Sequence, residues 1–249
     1  MLFEKILQVA VAFNYKNCPY QLDHLDGHAT CLLSEVVKPL QWITEQLMKQ
    51  VIIVRDVAIE LNRNKSGWEI ICRDYKLVSK NIILAHGAEE NIISPTSTST
   101  SISISSKALP SLNMTTALNP ELLAKTVSSE DIIAVYGAPH SAVLIVKNLL
   151  DLDCSVINLY RHPLKYAIYQ QDHIIYDNTG LKALAAQYAK QHMDTQLHPK
   201  LTRCYLESDQ AKNLLSTANK TVYAIGFHAN YSLTIEGVDI KNYDVHTGI

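Results

Sequence analysis

Six consecutive residues carry the sharpest chemical pattern in this chain: Gly137, Ala138, Pro139, His140, Ser141 and Ala142. They follow a short apolar run and precede apolar residues at helical spacing. A glycine at such a junction permits a tight turn and lets backbone come close to a phosphate. The helix behind it offers free N–H groups and the positive end of its dipole. The dinucleotide pattern G-x-G-x-x-G is met in part. Pro139 stands where the second glycine would be and Ala142 where the third would be. Alanine is accepted at the close helix–strand contact. Proline has no N–H and fixes φ. The hexad therefore supports two readings, a nucleotide phosphate site or a plain βα unit with a glycine turn. Ser141 is expected to cap the helix. It is not read as a nucleophile, because the adjacent His140 points elsewhere.

A second group lies where the second strand of such a unit would end, about 20 residues on. It reads Tyr160, Arg161, His162, with Lys165 a little further along. An acid at this place would hydrogen bond ribose hydroxyls, and none is present. A guanidinium can instead pair with a 2′-phosphate. Arg161 is thus the candidate NADP-selecting residue and Lys165 its support. The competing reading is a solvated loop arginine.

Other chemistry is less well supported. Cys18, His24, His28 and Cys31 are zinc-type ligands, but their spacing matches no common zinc pattern, and a surface loop is the expectation. No metal site is assigned. The five cysteines are odd in number and lack C-x-x-C, which suits a reducing compartment. Neither G-x-S-x-G nor H-E-x-x-H occurs.

The elements that must position these residues follow from periodicity. Residues 132–136 and 155–160 read as strands on either side of a helix at 141–152. Further on come a helix opened by Asn178-Thr179-Gly180 and running to about residue 191, a strand at 201–206, a helix at 209–218 and a strand at 221–225. Strands alternating with helices predict an α/β fold with a mainly parallel sheet. Upstream, Val36, Val37, Leu40, Ile43 and Leu47 mark one face of a helix over 34–50, with Pro39 as a late start or a kink. A β-meander follows, with a strand within 51–62, its partner at 68–73 and a third run at 77–84 that ends at Ala85-His86-Gly87. Residues 94–106 are a Ser, Thr and Ile tract that cannot build a core. Asn119-Pro120-Glu121 then opens a short helix.

Composition bounds the partners. Of 249 residues, 47% are hydrophobic and 18% charged, with a net charge of -2. That is a globular balance, and it lacks the basic cluster that nucleic acid or an anionic membrane would require. No apolar run reaches transmembrane length. A cytoplasmic protein is the expectation.

Three stretches together resemble a known family. They are Ile82-Ile83-Leu84-Ala85-His86-Gly87-Ala88, the hexad from Gly137 to Ala142, and Tyr223-Ala224-Ile225-Gly226-Phe227. They are similar to the FAD/NAD(P)-binding flavoproteins of the pyridine nucleotide-disulfide oxidoreductase superfamily, in its non-disulfide, monooxygenase-like branch. That resemblance implies a Rossmann-like NAD(P)-binding lobe inserted in a FAD-domain-like lobe containing the meander. The expected division is 1–93 as the first part of the FAD-like lobe, 94–120 as linker, 121–227 as the NAD(P) lobe and 228–249 as the return. It also implies cofactor contacts at His86, Gly87 and Gly226, beside Gly137, Ala138, His140, Ser141, Ala142, Arg161 and Lys165. The family's first FAD-binding glycine motif has no counterpart near Met1, and its final glycine-rich segment has none near Ile249. The FAD-like lobe therefore reads as incomplete, and the isolated chain is expected not to retain FAD.

Two function classes follow from the resemblance. One is a flavin-dependent oxidoreductase passing hydride from NADPH to FAD, on a substrate the sequence does not specify. The other is a truncated non-catalytic homologue, or one half of a two-chain flavoprotein whose partner chain supplies the FAD site.

Overall fold

A computed structural model describes residues 17–25, 31, 33–93, 109–229 and 233–235. The low-complexity tract at 94–106, His28 of the cysteine–histidine group and the C-terminal segment after Ile235 lie outside the described residues. The chain divides into two compact units, Met1–Ala85 with Tyr231–Ile249, and His86–Asn230.

The first unit contains helix α1 (Leu33–Met48) and strands β1 (Ala58–Asn64), β2 (Gly67–Cys72) and β3 (Lys76–Ser79). The three strands form an antiparallel meander in the order expected. Asn64 builds the first turn by accepting the Ser66 N–H on its side chain at 2.9 Å. Gly67 closes it at φ 148°, and a Cβ there would come within 2.4 Å of the Ser79 carbonyl oxygen. The third strand stops at Ser79. The apolar residues beyond it leave the sheet, and Ile83 is 92% exposed. The expected strand to Leu84 is thus corrected to a short strand and an exposed connection. Helix α1 also departs from expectation. Pro39 sits inside it and is buried with Ile43, while Val37, Leu40 and Leu47 are exposed.

The second unit is built on five parallel strands: β5 (Ser111–Leu112), β6 (Ile132–Tyr136), β7 (Ser155–Tyr160), β10 (Leu201–Tyr205) and β11 (Lys220–Tyr223). Their spatial order is β10-β7-β6-β11-β5. Helices α2 (Met114–Leu118), α3 (Pro120–Ala124), α4 (His140–Asp151), α5 (Ala183–Ala189) and α6 (Asp209–Thr217) flank the sheet. Strands β4 (Ala88–Glu90) and β12 (Phe227–Ala229) pair antiparallel as a separate ribbon, and β8 (Ile168–Tyr169) with β9 (Ile174–Ile175) form another.

Strands buried on both faces must be apolar almost throughout. Strand β6 meets this requirement. Ile133 and Val135 face a core containing Ala142, Val143, Ile145, Val146 and Leu149 of α4. Ala134 and Tyr136 face the opposite core, with Ala211 and Leu215 of α6. Each fully buried aliphatic side chain contributes about 1.5–3 kcal/mol relative to exposure. The six buried residues of α4 therefore fix that helix, and its first turn, firmly against the sheet.

Residues 111–118, expected within the linker, belong to this unit. Strand β5 pairs with β11, and Met114 and Ala117 of α2 are buried in the main core. Asn113 caps α2 by accepting the Thr116 N–H at 2.7 Å. Asn119 caps α3 in the same way, with Pro120 at its first position. These caps let two short helices pack where composition suggested a tether.

Candidate functional site

The chain leaves β6 to form β7 on one side, while β11 lies on the other side of β6. Loops following the two sides diverge above the carboxyl ends of these strands and leave a crevice between them. Gly137 stands at that point. Its φ is 125°, and a Cβ there would lie 2.2 Å from the Ala224 carbonyl oxygen and 3.4 Å from the Ala142 side chain. Glycine is therefore required both by backbone conformation and by the close passage of the chain after β11. The Gly137 N–H donates to the Leu159 carbonyl at 2.8 Å, and the Ala224 N–H donates to the Tyr136 carbonyl at 2.8 Å. The turn is thus tied to both neighbouring strands.

Helix α4 starts at His140, with Pro139 as its cap residue in extended conformation and no side-chain cap hydrogen bond. The expected cap at Ser141 is corrected. Proline favours the extended backbone that a cap residue needs, so the helix starts one residue earlier and Ser141 falls inside its first turn. The first N–H groups of a helix have no intrahelical acceptor, and Pro139 has no side-chain acceptor to offer.

A cavity of about 730 Å³ opens at this end of the sheet. Gly137, Ala138, Arg161, Lys165 and Gly226 all line it. Those five predicted residues are brought together from three separate places in the sequence. Tyr136, Ile93 and Leu206 supply apolar wall. Tyr136 stacks on Tyr223, with ring centroids 4.9 Å apart. Burial pushes the Tyr136 hydroxyl's pKa well up, with Tyr223 adding to the shift, so it stays neutral. Among the described residues no Asp or Glu lines the cavity, whereas Arg161 and Lys165 do. Lys165 also lies over the Tyr176 ring at 5.5 Å.

The other predicted residues lie elsewhere. The His140 ring accepts the Lys182 N–H on Nε2 at 2.9 Å. Burial and the nearby Lys182 charge lower its pKa, which fits a neutral acceptor that fastens the start of α5 to the start of α4. Ala142 is fully buried and serves the close helix–strand contact. Ser141 does not line the cavity. His86 and Gly87 are exposed just before β4. Gly87 has φ 75° and open space around it, so its conformation explains the glycine without any close neighbour. The β4–β12 register sets Ala88 opposite Ala229 and Glu90 opposite Phe227, which puts Gly87 and Gly226 at opposite ends of the ribbon.

Two residues were not singled out from the sequence, Asn158 and Arg203. Asn158 is wholly buried in the middle of β7. It donates from Nδ2 to the Gly137 carbonyl at 2.8 Å and accepts from Arg203 Nε at 3.1 Å. The guanidinium of Arg203 lies over the Tyr160 ring at 4.7 Å. An asparagine within the apolar run Ser-Val-Ile-Asn-Leu-Tyr was the available signal, because a buried amide needs partners. No group of potential metal-ligating side chains occurs among the described residues, and none of their helices is long and apolar enough to cross a membrane.

No family model matches the chain. It is 28% identical over 194 residues to Monooxygenase AgnR1 of Paecilomyces divaricatus, covering 71% of this chain and 48% of that protein. The chain thus spans about half the length of this relative. Among solved structures it is similar to a flavin-containing monooxygenase from Stenotrophomonas maltophilia, with a TM-score of 0.54 and 11% identity, covering 82% of this chain and 60% of that one. A mutant flavin monooxygenase from the same organism gives a TM-score of 0.52 at 11% identity, covering 79% and 58%. The chain is thus similar in sequence to a monooxygenase and in fold to flavin-containing monooxygenases, in agreement with the resemblance of its three stretches to the monooxygenase-like FAD/NAD(P)-binding flavoproteins.

Proposed function

We propose that the unit His86–Asn230 binds NADP(H) at the carboxyl end of its parallel sheet and serves a flavin-dependent oxidoreductase reaction. One coincidence carries the reading. A glycine turn, a helix start without a side-chain cap and two cations meet around one cavity that has no acidic lining among the described residues. The cavity is within the usual range for small-molecule sites, about 300–1,000 Å³.

The residues present fit the nucleotide. The Gly137 turn and the first turn of α4 would hold the pyrophosphate, where N–H groups and the helix dipole favour an anion. Pro139 removes one donor from that turn, leaving the N–H of the cavity-lining Ala138 beside the start of α4. Arg161 would hold the 2′-phosphate and Lys165 would add charge. Tyr136, Ile93 and Leu206 would exclude water from the apolar side. NADPH, when bound, supplies a hydride, and the protein's task is to hold and orient the cofactor. Among the described residues, a glycine turn joins a parallel strand to a helix at this one place, so this unit is assigned to the nicotinamide nucleotide and not to the flavin. The flavin step, the substrate and any partner chain that completes the flavin site belong to the same proposal, supported by the relatives named above.

Titration with NADPH and NADH tests it. NADPH is expected to bind more tightly, with a gap that narrows at high salt as screening shortens the reach of charge. Arg161→Ala should weaken NADPH by about 1–3 kcal/mol, the scale of a hydrogen bond to a charged group, and spare NADH. Equal affinity for the two nucleotides, unchanged in the variant, would remove Arg161 as the selecting residue. Absence of any nucleotide binding would defeat the proposal. Added FAD should enable NADPH oxidation if the flavin step occurs in this chain.

A further inference from the structure

Strand β7 carries one buried side chain that has no packing reason to be polar. Asn158 is 0% exposed, between Ile157 and Leu159 in an otherwise apolar strand. A leucine there would satisfy the core at lower desolvation cost. The amide instead joins two polar groups. Arg203 Nε can only donate, so the atom facing it at 3.1 Å must be the asparagine oxygen. That leaves Nδ2 facing the carbonyls of Gly137 at 2.8 Å and Val135 at 3.3 Å. Arg203 is held in turn by the Tyr160 ring and by its Nη1, which donates to the Met193 carbonyl at 3.1 Å. Its Nη2 is buried without a partner among the described residues. Such a donor persists only where surrounding contacts fix the side chain.

We infer that Asn158 is a positioning residue for the phosphate turn, with Arg203 setting the direction of its amide. The inference rests on the nucleotide reading of the cavity. A trans peptide holds its C=O and N–H in opposite directions in one plane. With the Gly137 carbonyl drawn down to Asn158, the Ala138 N–H points the other way, and Ala138 lines the cavity. Released from Asn158, the Gly137–Ala138 peptide can rotate about the permissive glycine and present its carbonyl oxygen to the ligand. A carbonyl in that place repels phosphate. The proline at position 139 makes this orientation matter more. It has already removed one donor, so the Ala138 N–H carries a larger share of the phosphate contact.

The test uses the full chain and Asn158→Asp. The carboxylate keeps a partner for Arg203 but places an oxygen against the Gly137 carbonyl. Two probes separate positioning from general damage: NADPH, which has a pyrophosphate, and adenosine 2′-monophosphate, which has none. In the variant, NADPH should bind about tenfold more weakly, the scale of one hydrogen bond to a charged group, while adenosine 2′-monophosphate changes less than about twofold. A ligand-free measurement accompanies this. The Ala138 amide resonance in the variant should move well beyond the small shifts expected from a distant substitution, and its exchange should change. Unchanged NADPH affinity would overturn the positioning role and leave the site itself intact. Equal weakening of both probes would reduce Asn158 to a structural part. If the wild-type chain binds neither probe, the nucleotide reading fails, and the amide measurement alone judges the turn. If Asn158→Asp does not fold, Arg203→Lys replaces it, since that change leaves Asn158 present but removes the Nε donor that orients it. The same selective loss of NADPH is then expected, and equal behaviour of variant and wild type overturns the inference.

Discussion

The two ends of the parallel sheet use polar groups in opposite ways. At the amino end, Asp131 closes a network. It accepts the Ser128 N–H at 2.8 Å, the Asn219 amide at 3.0 Å and the Lys220 ammonium at 2.5 Å. Asn219 in turn accepts the Ile132 N–H at 3.2 Å. Burial alone would raise the Asp131 pKa, but Lys220, Ser128 and Asn219 outweigh it and hold the carboxyl below its usual value. At the carboxyl end, the same strands finish in a glycine turn, an uncapped helix start and two cavity-lining cations. One end therefore satisfies its polar groups internally. The other keeps donors and positive charge available. Internal hydrogen bonding is concentrated at the first end and the proposed nucleotide site lies at the second, although both depend on β6 and β11.

The largest expected effect crosses that division. Gly137→Ala would put a Cβ 2.2 Å from the Ala224 carbonyl oxygen at φ 125°. It should lower unfolding free energy by more than about 2 kcal/mol, because steric overlap and backbone strain add, and should abolish nucleotide binding. A denaturation midpoint that stays put would show that the turn can relax, and would weaken the view of a fixed site. Next in size, Asp131→Ala should cost about 1–3 kcal/mol at neutral pH by leaving buried donors without an acceptor. It should leave NADPH affinity unchanged if the two ends are independent. A folded-state pKa below the unfolded one means that the carboxylate's contribution is fully present above the unfolded value. It is lost as pH falls through the folded value. The wild-type chain should therefore lose this contribution below pH 3.8, and Asp131→Asn should show a flatter stability curve there. Equal slopes in acid denaturation would take Asp131 out of that role. The smallest effect is at the rim. Lys165→Ala should weaken NADPH by about 0.2–1 kcal/mol, the range for exposed charge pairs, with no change in unfolding midpoint.

The parallel core was legible because its strands are apolar on both faces. The runs ending at Tyr136 and Tyr160 stood out without knowledge of their partners, and so did the helix that fills with Val143, Val146 and Leu149. That Arg161 lines the cavity was legible from position alone, since the second strand of such a unit ends beside the first strand's glycine turn. What the residues did not reveal depends on contacts distant in sequence. Nothing local to His140 shows that it receives a hydrogen bond from residue 182. Nothing local to Asn158 shows that a guanidinium from residue 203 orients it. The meander's third strand was overextended because Ile82, Ile83 and Leu84 are apolar enough for a sheet, yet hydropathy does not say where hydrogen-bonded partners end. Residues 111–118 were misjudged for the opposite reason. Two short capped elements contribute little periodicity, and only their packing on β11 and α4 makes them structure.

The β4–β12 ribbon has a consequence for how such a unit can change hands over evolution. Ala88 and Ala229 are register partners, so the chain comes into the His86–Asn230 unit and departs from it along adjacent strands. Paired strands hold their backbones only about 5 Å apart. A segment whose ends lie side by side can be gained by a host loop, or cut out and rejoined, without stretching either piece. The ribbon is the seam of a module: joining residues 88 and 229 through a two-residue turn would release the unit as a circularly permutable domain, and new ends could be opened at an exposed loop such as the one between β8 and β9.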